Sequence, residues 1–390
     1  MRSGLNETKF NIRDLNFRLI ISATLLSVVG IFVVNSATVN ETTSSLVSTT
    51  GKQILGVLFG MVIMIGISLI DYRKFVKYSW VFYLIAILSL VYVLLFTEAI
   101  SGAKRWIHVR LLGTIQPSEF AKPALIIFMT FVLSKIGDRV NRFYMILAYF
   151  ACGAPILLLV LKEPDLSTAI VIVVLLVTML FLSGISYKWI IGVIIAAIPL
   201  VALFLVAVYQ PGQTILQNVF EAHQLQRINA YFFPDEYPSL VYQQNNSVMA
   251  IGSGGLLGKG LRNTSLASVK NGNFLSEESC DFIFAVIGEE LGFLGSAFVI
   301  LLIAILTTEC FRMAAKCKDI SGKIIAGSAG TMLALQSFIN IGVALLLIPN
   351  TGIPLPLVSA GLSSLLSTFI LLGLVLSVGV YGKKKTRVFH

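Results

Sequence analysis

Runs of about 20 nearly uninterrupted apolar residues recur along this chain, separated by short polar or charged stretches. Each run is long enough to cross roughly 30 Å of hydrocarbon as a helix. The runs are continuous rather than alternating, which excludes a membrane β-barrel and predicts helices. Ten spans are expected, near 19–37, 52–70, 77–96, 118–135, 143–161, 167–184, 189–209, 282–307, 324–348 and 365–381. The first lacks a clear small-residue cleavage site and is longer than a signal-peptide core, so it reads as a span. The expected fold is an all-α polytopic membrane protein, residues 1–390 forming one domain, with a large loop at about 210–281.

Composition agrees with that pattern. Of the 390 residues 56% are hydrophobic and 12% charged, where a soluble domain carries about 25% charged residues. Orientation follows from Lys and Arg. With both termini cytoplasmic, 19 of the 29 basic residues fall on the inner side, the tail from Lys383 to Arg387 among them. The net charge of +10 is thus chiefly a topology signal. It calls for membrane lipids as neighbours and needs no nucleic acid. The four cysteines lie apart, and with three histidines they suggest neither a metal site nor a disulfide pair.

The ten outward cations are unevenly spread. Lys104, Arg105, Arg110 and Lys122 gather ahead of or within the fourth span, and Lys162 follows the fifth. Arg227, Lys259, Arg262 and Lys270 lie in the long loop, where translocation regardless of charge accounts for them. In "QPSEFAK", Glu119 and Lys122 share one helix face. That pair either steadies a helix start or walls an outward-open cavity. In "KEPDLSTA", Asp165 can cap the sixth span, yet Lys162, Glu163 and Asp165 crowd a very short connection, and charges at such a depth mark a candidate site. "SVMAIGSGGLLGKGL" holds five glycines and Lys259, a stretch whose backbone N–H groups can meet a phosphate or simply turn. Asp281 heads the eighth span, as a cap or as a partly desolvated general base. Glu289 and Glu290 lie about 12–13 Å further along, and at least one should face the bundle interior and need a partner. Pro349, Pro354 and Pro356 forbid a continuous helix after the ninth span, and Ser359, Ser363 and Ser364 would then present hydroxyls to a cavity or pack a re-entrant loop.

In this order, "GAKRWI", "IQPSEFAK", "EPDLSTA", "YQQNNSVMAIGSGGLLGKG", "DFIFAVIGEELGFLG" and "NIGVALLLIPNTGIPLPLVSAG" resemble the SEDS family of shape, elongation, division and sporulation proteins (RodA, FtsW and SpoVE). The resemblance covers almost the whole chain, and "AIGSGGLLGKG" leans toward RodA. It implies ten transmembrane helices, an extracytoplasmic loop between the seventh and eighth, and peptidoglycan glycosyltransferase activity on lipid II, the undecaprenyl-pyrophosphate-linked disaccharide-pentapeptide. It also implies a class B penicillin-binding protein as partner. Asp281 aligns with the family's essential aspartate; Trp106, Glu119, Lys122 and Asp165 align with other functional positions, as do Gln243 and Ser247.

That chemistry suits these residues. An acceptor hydroxyl attacking an anomeric carbon needs a base, for which Asp281 is the choice. The leaving diphosphate needs cations, for which Lys122, Arg105 or Lys259 are available, with Lys104 and Ser359 as further substrate contacts. A divalent cation such as magnesium on the diphosphate is compatible with this, although no dedicated ligand cluster is visible. The chain departs from the family at Ser276–Asp281, where Pro-Glu-x-His-Thr-Asp is usual, at Ser359–Ser364, and at Glu163, where Gln is common. Two alternatives stay open: a flippase for lipid-linked precursors, and a weakly active or non-catalytic scaffold for the penicillin-binding protein.

Overall fold

The computed structural model describes residues 14–38, 48–98, 104–109, 113–210, 213, 216–217, 222–262 and 279–382. Arg110, Lys270, Gly102, Ala103, Ser276 to Glu278 and the basic tail from Lys383 lie outside these residues.

The helices α1 (Phe17–Ala37), α2 (Thr49–Ser68), the short α3 (Tyr72–Lys77) and α4 (Ser79–Phe96) come first. A hairpin of β1 (Ile107–Val109) and β2 (Gly113–Ile115) follows, antiparallel, with Ile107 opposite Ile115. Next are α5 (Pro117–Ile136), α6 (Phe143–Lys162), α7 (Leu166–Leu182) and α8 (Tyr187–Tyr209). The long loop carries α9 (Ala222–Phe232) and α10 (Pro238–Ser253), and α11 (Ile283–Lys316), α12 (Ile320–Ala344) and α13 (Leu362–Tyr381) close the chain. Among the described residues nine helices are long and apolar enough to cross a membrane, and α7, apolar over 17 residues, occupies the sixth expected span.

Side-chain polarity sorts the helices. α12 and α13 bury most of their residues at the centre, and α8 leaves nearly all its described side chains uncovered. Exposed Leu, Ile and Phe on α2, α4, α6 and α8 form an apolar outer belt suited to lipid. α13 packs on α2, α11 on α12, and α1 on α11.

The eighth apolar run is not the single continuous helix expected from its hydropathy. At Gly292 the backbone turns to φ +65°, and α11 is two helices joined at a kink. The carbonyls of Glu289 and Glu290, released from the helix by that break, accept from Lys259 N (2.9 Å) and Gly260 N (3.0 Å). Beyond the kink, Phe293 N and Leu294 N donate to the carbonyls of Gly255 (2.9 Å) and Leu256 (3.2 Å). The glycine-rich stretch therefore completes the broken helix with backbone hydrogen bonds, as a buried interruption requires. Close approach explains its composition: a Cβ at Gly258, where φ is +80°, would lie 2.2 Å from Glu290 O. Gly258→Ala is expected to destabilise the protein by about 1–3 kcal/mol. Gly252→Ala, where a Cβ meets nothing within 4 Å, should be neutral or stabilising. Thermal unfolding of both variants in one detergent checks the contrast.

The proline-bearing segment between α12 and α13 is non-helical, as its sequence predicted, and is buried from Leu355 to Ser359. A Cβ at Gly30 of α1 would stand 2.8 Å from Leu357 O, so this segment is seated directly against α1.

Candidate functional site

Polar side chains converge at the end of the bundle that carries α9, α10 and the β-hairpin. The connection from α6 to α7 is only Glu163–Asp165, and Asp165 caps α7 by accepting from Thr168 N (3.0 Å) and Thr168 Oγ1 (2.9 Å). Gln116, just ahead of α5, brings its amide to Asp165 Oδ2 (3.3 Å), while its backbone N–H donates to Ser363 Oγ at the start of α13 (2.9 Å). From the strand side, Arg105 donates through Nε to Glu163 O (2.9 Å) and through Nη2 to Pro164 O. Trp106 follows it in the chain, half-buried.

One turn into α5, Lys122 Nζ lies 2.7 Å from Glu119 Oε1, and Ser367 Oγ of α13 is 3.4 Å from Glu119 Oε2. Lys122 is 1% exposed and Glu119 3%, so this pair sits within the bundle, beneath the cluster rather than on an open wall.

Asp281 lies in the turn before α11. Its possible role as a cap does not materialise: the N-cap of α11 is Phe282, without a side-chain cap bond. Asp281 is half-buried, and its main-chain carbonyl accepts from Asn340 Nδ2 (3.0 Å), which also reaches Ile353 O (2.8 Å). Its carboxylate faces Gly352 of the proline-bearing segment, where a Cβ would stand 3.5 Å from Oδ2.

Arg227 on α9, which loop translocation alone seemed to explain, proves to be part of this cluster. It donates to Asn350 O (3.3 Å) and lines a cavity of about 230 Å³ with Gln243, Gln244 and Asn350. Desolvation at the cavity wall, then the like charge of Arg105, lowers its pKa from the usual arginine range, while Asp281 and Asp165 oppose that fall. Arg227 thus shares one electrostatic neighbourhood with Arg105, Asp165 and Asp281. No local motif marks it; the signal is the amphipathic pattern of "AHQLQRINAYF", a helix with one polar face.

Three expected site residues make contacts within the fold, and a fourth, Lys104, stays at the surface. Lys259 Nζ pairs with Glu289 Oε1 at 2.7 Å, so its charge balances a buried carboxylate. That answers half of the demand for partners inside α11; Ser36 Oγ, 2.6 Å from Glu290 Oε1, answers the other half. Ser359 Oγ donates to Cys280 O (2.6 Å) and accepts from Leu355 N (2.8 Å), tying the proline-bearing segment to the head of α11. Ser247 Oγ, fully buried, donates to Ala344 O (2.8 Å). Lys104 is exposed and reaches Leu94 O at 3.5 Å. Among the described residues no three His, Cys, Asp or Glu side chains gather as metal ligands would.

On either side of Lys122 in the chain, Phe120 and Pro123 open an apolar groove of about 320 Å³ that runs down between α2, α4, α5 and α13, past Ile63 and Ile85, to Phe75.

Residues 15–384 match the model of the "Cell cycle protein" family that unites FtsW, RodA and SpoVE. The chain belongs to the FtsW/RodA/SpoVE family. This family member is 33% identical to the probable peptidoglycan glycosyltransferase FtsW of Nitrosomonas europaea over 86% of the chain and 84% of that relative. It is 32% identical to the protein of the same name from Geobacter sulfurreducens, over 97% and 98% of the two chains. In three dimensions it is similar to a chain of a peptidoglycan synthase complex solved to explain how polymerisation and crosslinking are coordinated (TM-score 0.76, 24% identity, 94% of this chain and 97% of that one). It is also similar to the rod-shape-determining protein RodA of Thermus thermophilus (TM-score 0.66, 24% identity, 95% and 98%). Like these relatives, the FtsW/RodA/SpoVE member described here is a multi-pass membrane protein.

Proposed function

We propose that this protein is a peptidoglycan glycosyltransferase that polymerises lipid II at the outer face of the cytoplasmic membrane, with a class B penicillin-binding protein as its partner. The observation that carries the reading is the convergence of a non-capping carboxylate, Asp281, with Arg105, Arg227 and Asp165 at one end of a membrane bundle. In this orientation both termini are cytoplasmic, as the distribution of Lys and Arg favours.

Glycosyl transfer needs three things here. The acceptor sugar hydroxyl must give up its proton as its oxygen attacks the anomeric carbon, and Asp281 is the base within the cluster. The bond from that carbon to the diphosphate breaks, and two guanidiniums, with their planar fork of donors, suit the developing charge better than Lys122 or Lys259, both already engaged with carboxylates. The polyprenyl chain needs apolar lodging open to lipid, which the groove between α2, α4, α5 and α13 offers. Asp165, Gln116 and the Glu119–Lys122 pair hold the walls in place.

The test is incubation of the purified protein with lipid II, with and without a cognate class B penicillin-binding protein. Glycan polymer is the expected product. Transfer of lipid II across vesicle bilayers with no polymer from any preparation would instead assign a flippase.

A further inference from the structure

Glu163 stands out among the polar groups of the cluster. Its residue is wholly buried, and neither carboxyl oxygen has a hydrogen-bond partner among the described residues. Its backbone carbonyl nonetheless anchors Arg105 Nε. A carboxylate in such a place would lack a donor unless Arg105 left the backbone carbonyls, and it would lie close to the Asp165 charge, whereas a neutral acid avoids both penalties.

We propose that Glu163 is a positioning residue, carried as the neutral carboxylic acid, which leaves the Arg105 guanidinium on the Glu163 and Pro164 carbonyls and facing substrate. Ionised, the same carboxylate would compete for that guanidinium and draw it into the protein. The inference rests on the reading above in one respect, that Arg105 serves the leaving diphosphate. The charged and titratable groups around Glu163 among the described residues are these. Asp165 lies two residues on at the head of α7, Arg105 arrives from the strand side, and Arg227 approaches both from α9. Lys162 precedes it and is exposed, and Gln224 of α9 donates its amide to Pro164 O (3.2 Å).

Burial first, and then the Asp165 charge, push the Glu163 carboxyl up to about 8 from its ordinary 4.5, against the pull of Arg105. Between those two values the folded protein holds a proton that the unfolded chain has released, so folding stability falls as pH rises through that window. Glu163→Gln is neutral at every pH and should show no such loss. Glu163→Met, matched in size but without polar atoms, should behave likewise, since there is no hydrogen bond to lose.

Two measurements on the full-length protein test this. First, the melting temperature in detergent of either neutral variant minus that of the wild type should widen steadily from pH 5 to pH 8 and then level off. Second, wild-type polymerisation should fall about tenfold between pH 7 and pH 9, the neutral fraction of a group titrating near 8 dropping from about 90% to about 10%. Glu163→Gln should lose far less over the same interval. Melting curves that stay parallel across pH overturn the neutral acid, whatever the activity. A widening gap with identical pH–rate profiles for wild type and Glu163→Gln overturns the positioning of Arg105. If the gap widens and no preparation makes polymer at any pH, the neutral acid stands, and what fails is the glycosyltransferase reading and, with it, the role given to Arg105.

Discussion

Asp281→Asn is expected to reduce glycan polymerisation by about 10²–10⁴-fold while leaving the fold intact. The substitution keeps the size and shape of the side chain while removing its negative charge and its capacity to take a proton. Nothing in the local structure depends on Asp281 as a helix cap, because α11 begins behind Phe282. The anchoring bond from Asn340 Nδ2 goes to the main-chain carbonyl, which the variant retains. A loss of activity therefore reports on chemistry. It is read by gel analysis of polymer from labelled lipid II, beside the elution profile and melting temperature of the same preparations. Asp281→Ala should be as inactive. Undiminished polymer from both variants would remove Asp281 as the base and point to another carboxylate of the cluster. Asp165 is the weaker choice, since its oxygens already accept from Thr168 and Gln116.

The helical architecture was legible in the sequence because length and hydropathy decide what can cross a bilayer, and four of the six motifs lie at the ends of those helices. What eluded it has one physical cause: partner choice across long sequence separations. Glu289 and Glu290 were read as needing partners, but that these would be Lys259 and Ser36 depends on the kink at Gly292 and on a glycine loop that docks into it. The same docking gives the glycine stretch, left open in sequence between a phosphate contact and a turn, the backbone partners of a broken helix. Ser359 stood open between a cavity hydroxyl and a packing role because proline breaks the helix before it; in the fold that hydroxyl ties two irregular segments together. Arg227 was missed for the opposite reason. A cation in a long loop has a ready topological explanation, and only the placement of α9 against Asn350 brings it near Asp281 and Asp165.

Lys122→Met is the second substitution expected to have a large effect, and the effect should be on stability as much as on activity. Glu119 and Lys122 lie one helical turn apart with almost no exposure, and removing the ammonium leaves a buried carboxylate whose remaining side-chain partner among the described residues is the Ser367 hydroxyl, a long 3.4 Å away. Breaking one side of a buried ion pair costs about 3–5 kcal/mol, whereas replacing both sides with neutral groups of similar size is often nearly neutral. The double variant Glu119→Gln/Lys122→Met should therefore recover most of the stability lost in Lys122→Met, a coupling that thermal unfolding of the two singles and the double measures directly. Activity then separates the two roles open to this pair. If Lys122 only holds α5 and α13 in register beneath the cluster, polymer synthesis should return with stability in the double variant. A double variant that is stable yet inactive would instead give the Lys122 charge a part in stabilising the departing diphosphate. The geometry favours the first outcome, because the ammonium is already paired with Glu119 inside the bundle.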